Sequence, residues 1–398
     1  MRRVCALLVG TLLGTGCSSA ASPLPSSVPS DASGTSAPET TQIQPLSTTT
    51  TGPTTTSTTG PAAGVAGVAA LVGNLIEADQ FSGVVLIADG DRVVWEAAGG
   101  LADRDAGVAN SMDTRFNLGS LNKMFTAVAV LQLMEEDLLT LEGTVVEYLP
   151  DYPNREVAEQ VTVEQLLTHT SGLGDVFTEE FNADPHSYRA TEDYLPLFAD
   201  EPLQFTPGER FAYSNAGYVV LGLIIERLSG LSYADYVATE IFEPAGMLSA
   251  GMFDVEEEAA DMAVGYTTQD IRGYETGVLQ ANTSMMPGRG FAAGGGYATA
   301  GDLLRFRNAL IAHRLLSSAS VDLLLTGRVE VREHVRYAFG FLDRIQAGQR
   351  VVGHTGGAPG IRAFFNVYLE SGYTVVVLSN SDYDCAVVME YLADHPLL

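Results

Sequence analysis

Phe116-Asn-Leu-Gly-Ser-Leu-Asn-Lys-Met-Phe-Thr126 opens a stretch in which Leu121, Met124, Phe125, Val128 and Leu131 recur at helical spacing. The spacing predicts a helix from about Ser120 to Glu136, with Ser120 at its start and Lys123 one turn later. Residues three apart share a helix face, so the lysine amine can reach the serine hydroxyl. The free N–H groups and positive dipole end of a helix N-terminus stabilise a developing alkoxide or oxyanion. A hydroxyl with an adjacent amine is a nucleophile with its base. The bland alternative is an N-capping serine beside a surface lysine. Against it stands one fact of composition: of 21 basic residues, 20 are arginine and Lys123 is the only lysine. Arginine stays protonated in proteins, whereas burial can turn lysine into a base. A site that needs a neutral amine therefore cannot accept arginine.

Outward from this helix, the pattern divides the chain. Val68, Leu71, Val72, Leu75 and Ile76 predict an amphipathic helix at the start of a domain covering 64–398. Two β-branched runs, Gly83–Ala88 and Arg92–Ala97, flank Asp89-Gly90 and read as a hairpin. The middle, roughly 137–290, reads mostly as helix and loop, with a buried helix over Ala216–Leu228. Near the end, Tyr337–Ile345, Arg350–His354, Ala363–Leu369 and Tyr373–Ser379 read as strands, and Ala386–Leu392 as a closing helix. The fold class expected is α/β (α+β): one sheet completed by both termini, with the helical middle as an insertion at its side.

Two further segments carry candidate chemistry. Tyr213-Ser214-Asn215 enters the buried helix, where Asn215 could serve as a plain N-cap. A tyrosine near an amine could relay protons as phenolate if its pKa, ordinarily about 10, were lowered by the positive charge of Lys123. His354-Thr-Gly-Gly357 ends a predicted strand. Its glycines would let a substrate backbone come close, and its N–H groups could complete an oxyanion hole. Taken alone, it reads as a strand running into a turn.

Together these segments resemble the class C β-lactamase family of serine hydrolases, which also includes penicillin-binding DD-peptidases, D-aminopeptidases and esterases. The resemblance covers roughly 64–385. It takes in Val161-Thr-Val-Glu-Gln-Leu-Leu-Thr-His-Thr-Ser-Gly-Leu173, Phe205-Thr-Pro-Gly-Glu-Arg-Phe-Ala-Tyr-Ser-Asn215 and Gly294-Gly-Gly-Tyr-Ala-Thr-Ala-Gly-Asp302 as well as the first stretch. It implies an antiparallel sheet flanked by helices, with the site between sheet and helical subdomain. Ser120 would attack an acyl carbonyl, and Lys123 and Tyr213 would share the proton transfers. Asn215 would bind the substrate's amide or hold Lys123, and His354, Gly356 and Gly357 would contact substrate. Ser120 and Gly357 would supply the oxyanion N–H groups, and neither metal nor cofactor would be needed. One position departs from the pattern. The family's β-lactamases usually carry lysine where this chain has His354, and neutral histidine is a poor partner for a β-lactam carboxylate at pH 7. The expectation therefore moves toward an esterase or peptidase-like activity on an ester or amide. A β-lactamase or DD-carboxypeptidase is the alternative, and a non-catalytic envelope sensor on the same fold is the rival of another class.

The first 63 residues read differently. Arg2 and Arg3 precede a short apolar run, Val4–Leu13, and then Gly14-Thr15-Gly16-Cys17. The order resembles a bacterial lipoprotein signal over 1–17, with Cys17 as the lipidated residue; cleavage after Ala20 is the competing reading. Residues 18–63 contain 29 Ser, Thr or Pro among 46 and read as an extended linker. An exported protein held at the cell envelope is expected, touching membrane only through its lipid anchor, and Cys385 is expected to be a buried structural thiol. The net charge of -28 excludes a nucleic-acid partner, since phosphate binding needs clustered Lys and Arg. A small-molecule or peptide acyl substrate is the expected partner. Other signals fail: there is no GxSxG, no Walker A loop and no HExxH. Gly288-Arg-Gly-Phe-Ala-Ala293 lacks the strand that a dinucleotide fingerprint requires. His169, Ser171 and Asp175 lie in one short loop and read as structure, not as a triad.

Overall fold

A computed structural model describes residues 63–256, 261–382, 385–395 and 397. The expected signal, linker and Cys17 lie outside the described residues. Helix α1 (Ala63–Glu77) leads into β1 (Gly83–Asp89) and β2 (Arg92–Gly99), joined by a tight turn with Gly90 at φ +62°. The chain leaves this hairpin for α2 (Asn122–Glu135), α3 (Asn215–Ser229), α4 (Ala300–Ile311) and α5 (Ser318–Leu325). It returns through β3 (Val329–Arg332), β4 (Val335–Tyr337), β5 (Leu342–Gln346), β6 (Gln349–Ala358), β7 (Ile361–Tyr368) and β8 (Tyr373–Ser379), then closes with α6 (Ala386–Asp394).

The antiparallel sheet has the order β2-β1-β8-β7-β6-β5-β4-β3. β1 pairs with β8 along its whole length, Val85 opposite Val377 and Leu86 opposite Val376. The sheet is thus completed by both ends of the domain, as the patterning implies. Strand alternation sends Val85, Ile87, Val375 and Val377 to one face, where Val68 and Val72 of α1 and Val388 and Leu392 of α6 cover them. Val84, Leu86, Val376 and Leu378 point the other way, into the larger core with α2, α3 and α4. Both faces are buried, which is why these strands read as continuous apolar runs. Cys385 is buried beside α6.

Three local expectations change. The middle segment is not only helix and loop: Tyr266–Gln269 and Glu275–Ala281 form a separate hairpin. Its second strand is exposed almost throughout, so it shows no half-buried alternation. The strand expected over Tyr337–Ile345 is interrupted between β4 and β5. There Gly340, at φ +69°, turns the chain against the first turn of α2, and a β-carbon at this position would meet the Lys123 carbonyl oxygen at 2.4 Å. Finally, the strand expected to end at His354 runs on to Ala358 in β6.

Candidate active site

Ser120 lies in a 3-10 turn, Gly119–Leu121, that runs directly into α2. Buried polar side chains on the same helix hold this turn in place. Asn122 donates to the Phe291 carbonyl at 3.1 Å and accepts from the Gly296 N–H at 3.2 Å, and Thr126 donates to the Ala292 carbonyl at 2.7 Å. The Leu118 N–H reaches the Gly296 carbonyl at 2.7 Å. Through these bonds the segment 291–296 is locked along the nucleophile turn, and the Ala293 carbonyl is aimed into the site.

Lys123 is fully buried. Its Nζ lies 3.2 Å from Ser120 Oγ, 2.8 Å from Asn215 Oδ1 and 2.6 Å from the Ala293 carbonyl oxygen. The rings of Tyr213 and Tyr218 lie 4.8 and 5.4 Å from the amine. Burial among these groups lowers the lysine pKa to about 7, against a smaller opposing pull from the Asp175 charge. The donor count then fixes the direction of each bond. A neutral amine has two N–H groups and one lone pair. The two carbonyl-type oxygens can only accept, so they take both N–H groups, and the lone pair is left to receive the Ser120 proton.

Asn215 opens α3, whose N-cap is Ser214: the Ser214 hydroxyl accepts from the Gly217 N–H at 3.1 Å. Asn215 is thereby released from the capping role that the sequence allowed. Its Nδ2 donates to both Asp175 oxygens at 3.0 and 3.1 Å, which orients Oδ1 toward Lys123. Burial of the Asp175 carboxylate raises its pKa, opposed in part by the hydrogen bond from Asn215.

Tyr213 requires a correction. Burial pushes its phenol well above the ordinary value, offset only in part by a hydrogen bond with Ser120. Lys123 lies over the ring face and, with its own pKa lowered to about 7, is only about half protonated at pH 7, so its charge does not offset the burial of the phenol. Tyr213 is a neutral phenol beside the nucleophile.

His354 requires another. β6 alternates, and the His354 ring is turned inward and buried. Its Nδ1 donates to the Thr355 carbonyl at 2.7 Å, so its Nε2 accepts from the Tyr337 hydroxyl at 3.0 Å. Burial, assisted by Lys123, lowers its pKa to about 3. Both ring nitrogens are taken up within the protein, and the ring is a neutral brace, not a group facing substrate. The sequence placed the strand end at this residue and so missed the alternation. Gly356 has a closer neighbour than any substrate: a β-carbon there would meet the Leu118 carbonyl oxygen at 2.0 Å and the Ser120 nitrogen at 3.1 Å. The absence of a side chain lets β6 press directly on the nucleophile turn. Among the described residues, no group of three His, Cys, Asp or Glu side chains gathers as a metal site would.

The β-lactamase family model matches residues 68–395. The chain belongs to the β-lactamase family. Penicillin-binding protein 4* of Bacillus subtilis (strain 168) is 34% identical over 324 residues, covering 78% of this chain and 70% of its own. Esterase EstB of Burkholderia gladioli is 29% identical over 340 residues, covering 76% and 86%. The crystal structure of the penicillin-binding protein from Bacillus halodurans superposes with a TM-score of 0.74 at 33% identity, covering 81% of this chain and 98% of that one. These relatives span penicillin-binding proteins and an esterase, and this β-lactamase family chain is an enzyme of the serine hydrolase type.

Within this member of the β-lactamase family, the structure brings Ser120, Lys123, Tyr213 and Asn215 together, with the Gly357 backbone on the facing strand. Sequence reading missed the Ala293 carbonyl, which leaves no side-chain signature. It set Asp175 aside as loop structure, although an acid two residues after the Ser171-Gly172-Leu173 segment was visible. His169, also set aside, is buried against Tyr213 at 4.2 Å between ring centroids and accepts the Ser214 N–H through Nδ1 at 3.1 Å. That structural reading of His169 agrees with its surroundings.

Proposed function

We propose that this chain is an exported serine acyl hydrolase that cleaves an ester or amide through an acyl-enzyme on Ser120. The observation that carries the reading is the buried, near-neutral Lys123, whose two N–H groups are occupied by carbonyl-type oxygens and whose lone pair is left to Ser120. Lys123 takes the Ser120 proton as Oγ bonds to the acyl carbon, and the carbonyl electron pair moves onto oxygen between the N–H groups of Ser120 and Gly357. The proton on Lys123 then passes through the Tyr213 hydroxyl to the leaving oxygen or nitrogen, and the C–O or C–N bond breaks. Water repeats the cycle: it gives its proton to the restored base and attacks the acyl carbon, and Ser120 regains its hydrogen as the acid leaves. His354 supports this arrangement from within. As it presents no cation, esters and simple amides suit the site better than β-lactams or other substrates that must anchor a carboxylate.

A fluorophosphonate probe tests the reading without knowledge of the substrate. Stoichiometric labelling is expected at Ser120 by mass spectrometry, with none in Ser120→Ala. A folded protein that labels at another residue, or at none, overturns it. The order Arg2-Arg3, apolar run and Cys17 supports export and a lipid anchor. Incorporation of labelled palmitate in bacterial cells that is abolished by Cys17→Ala is the expected result, and equal labelling of both proteins would contradict the anchor.

A further inference from the structure

The hairpin of Tyr266–Gln269 and Glu275–Ala281 takes no part in the acyl-transfer steps, yet it is held from both walls of the site. Its base is fixed on the sheet side. The Tyr266 N–H donates to the Asn380 carbonyl at 2.8 Å. Asp382 Oδ2 accepts from the Thr267 hydroxyl and, at 3.2 Å, from the Thr268 N–H. Its Oδ1 accepts from the Gly360 N–H at 2.8 Å, in the turn that follows β6 and lies three residues beyond Gly357. In the hairpin's own turn, Ile271 packs on a small apolar cluster of Met285, Met286 and Ile361, which Ala358 also joins.

The next residue reaches the opposite wall. Arg272 Nη2 donates to Glu179 Oε2 at 2.8 Å. Glu179 opens a short helix, Glu179–Ala183, and lies four residues beyond Asp175, whose carboxylate holds Asn215. Ile271 and Arg272 together thus span from the end of the Gly357 strand to the loop that orients Asn215.

The two attachments differ in strength. The base combines backbone bonds with a carboxylate that is largely shielded, its side chain 17% exposed. The tip rests on two side chains that are 53% and 78% exposed. An ion pair so exposed shifts an equilibrium by about fivefold at most, and salt screens it. The hairpin's second strand is exposed almost throughout, so little buried surface is lost when the ribbon moves. The base is a hinge and the tip a latch.

We propose that this hairpin is a strap across the mouth of the site, and that Arg272, closed on Glu179, is a specificity-determining residue that selects compact acyl donors over bulky ones. This rests on the hydrolase reading above and narrows its substrate class by size.

The test measures second-order rates of Ser120 labelling in the purified full chain by two uncharged probes. One is diisopropyl fluorophosphate, and the other is a fluorophosphonate with a BODIPY dye on a short linker. Arg272→Glu is expected to raise the bulky-to-compact rate ratio about three- to fivefold and to leave the compact probe's rate unchanged. Raising salt from 0.05 to 1 M is expected to move the wild-type ratio in the same direction. The exchanged pair, Arg272→Glu with Glu179→Arg, is expected to restore the low-salt wild-type ratio. A ratio unmoved by salt in the wild type overturns the proposal without any variant. So does an exchanged pair whose ratio stays with that of the single variant, because the arginine then acts through some other contact. If Ser120 labels with both probes and the ratio is fixed, only the proposal fails. If neither probe labels Ser120, the hydrolase reading fails and takes the proposal with it.

Discussion

Lys123 shows how a single residue type can encode a site. Its amine is buried, its pKa is about 7, and its three contacts leave one direction for the serine proton. Lys123→Arg keeps the cation but cannot act as a base. Its kcat/KM on any ester that the wild type turns over is expected to fall by about 10³ or more, in keeping with the range of general-base effects. Near-full activity would exclude the lysine from proton transfer. Tyr213→Phe keeps the ring against Lys123 and His169 and removes only the hydroxyl; a fall in kcat of about 10² with an unchanged melting temperature is expected. The Ser120–Lys123 pair was legible because helix geometry makes it local. Two further members of the network were not. The Ala293 carbonyl is backbone, and Asp175 reaches Asn215 from a loop 40 residues away. Only the tertiary structure joins them.

At the scale of elements, β6 and the nucleophile turn form one unit. Gly356 and Gly357 look like a turn in sequence, yet they continue the strand to Ala358 because the turn at Ser120 packs where a side chain would stand. The same misreading hid the alternation that directs His354 inward. Gly356→Ala must displace the Leu118 carbonyl or the strand. A stability loss of about 1–3 kcal/mol is expected from chemical denaturation, the range for overpacking, together with a larger loss of kcat than of substrate affinity if the N–H groups of Ser120 and Gly357 hold the oxyanion as proposed. Unchanged kcat would show that this contact does not position the chemistry. Strands buried on both faces, such as β1 and β8, were readable as apolar runs. The exposed hairpin of Tyr266–Gln269 and Glu275–Ala281 was not, because little of its second strand is buried.

Across the whole molecule, the site lies between a sheet joined from both ends of the domain and a helical layer, and it is walled by neutral aromatic and histidine rings. That interior has a pH cost. His354, with its pKa lowered to about 3, and His169, lowered well below the ordinary value, stay neutral in the folded state. The unfolded chain protonates both below about pH 6.5, so their contribution to stability is intact above that pH and is lost as pH falls toward 3. His354 is expected to remove roughly 1.4 kcal/mol per pH unit within that window, and His354→Gln should lower the slope between pH 6 and 5 in urea titrations. A flat profile there would contradict the buried neutral rings. The central claim, that a near-neutral Lys123 activates Ser120, is tested most directly by the rate of fluorophosphonate labelling of Ser120 between pH 5 and 9. The rate should rise through an apparent pKa near 7 and then level off, because labelling needs the unprotonated amine. A rate independent of pH across that range, or a Lys123→Arg protein labelled as fast as wild type, would contradict it.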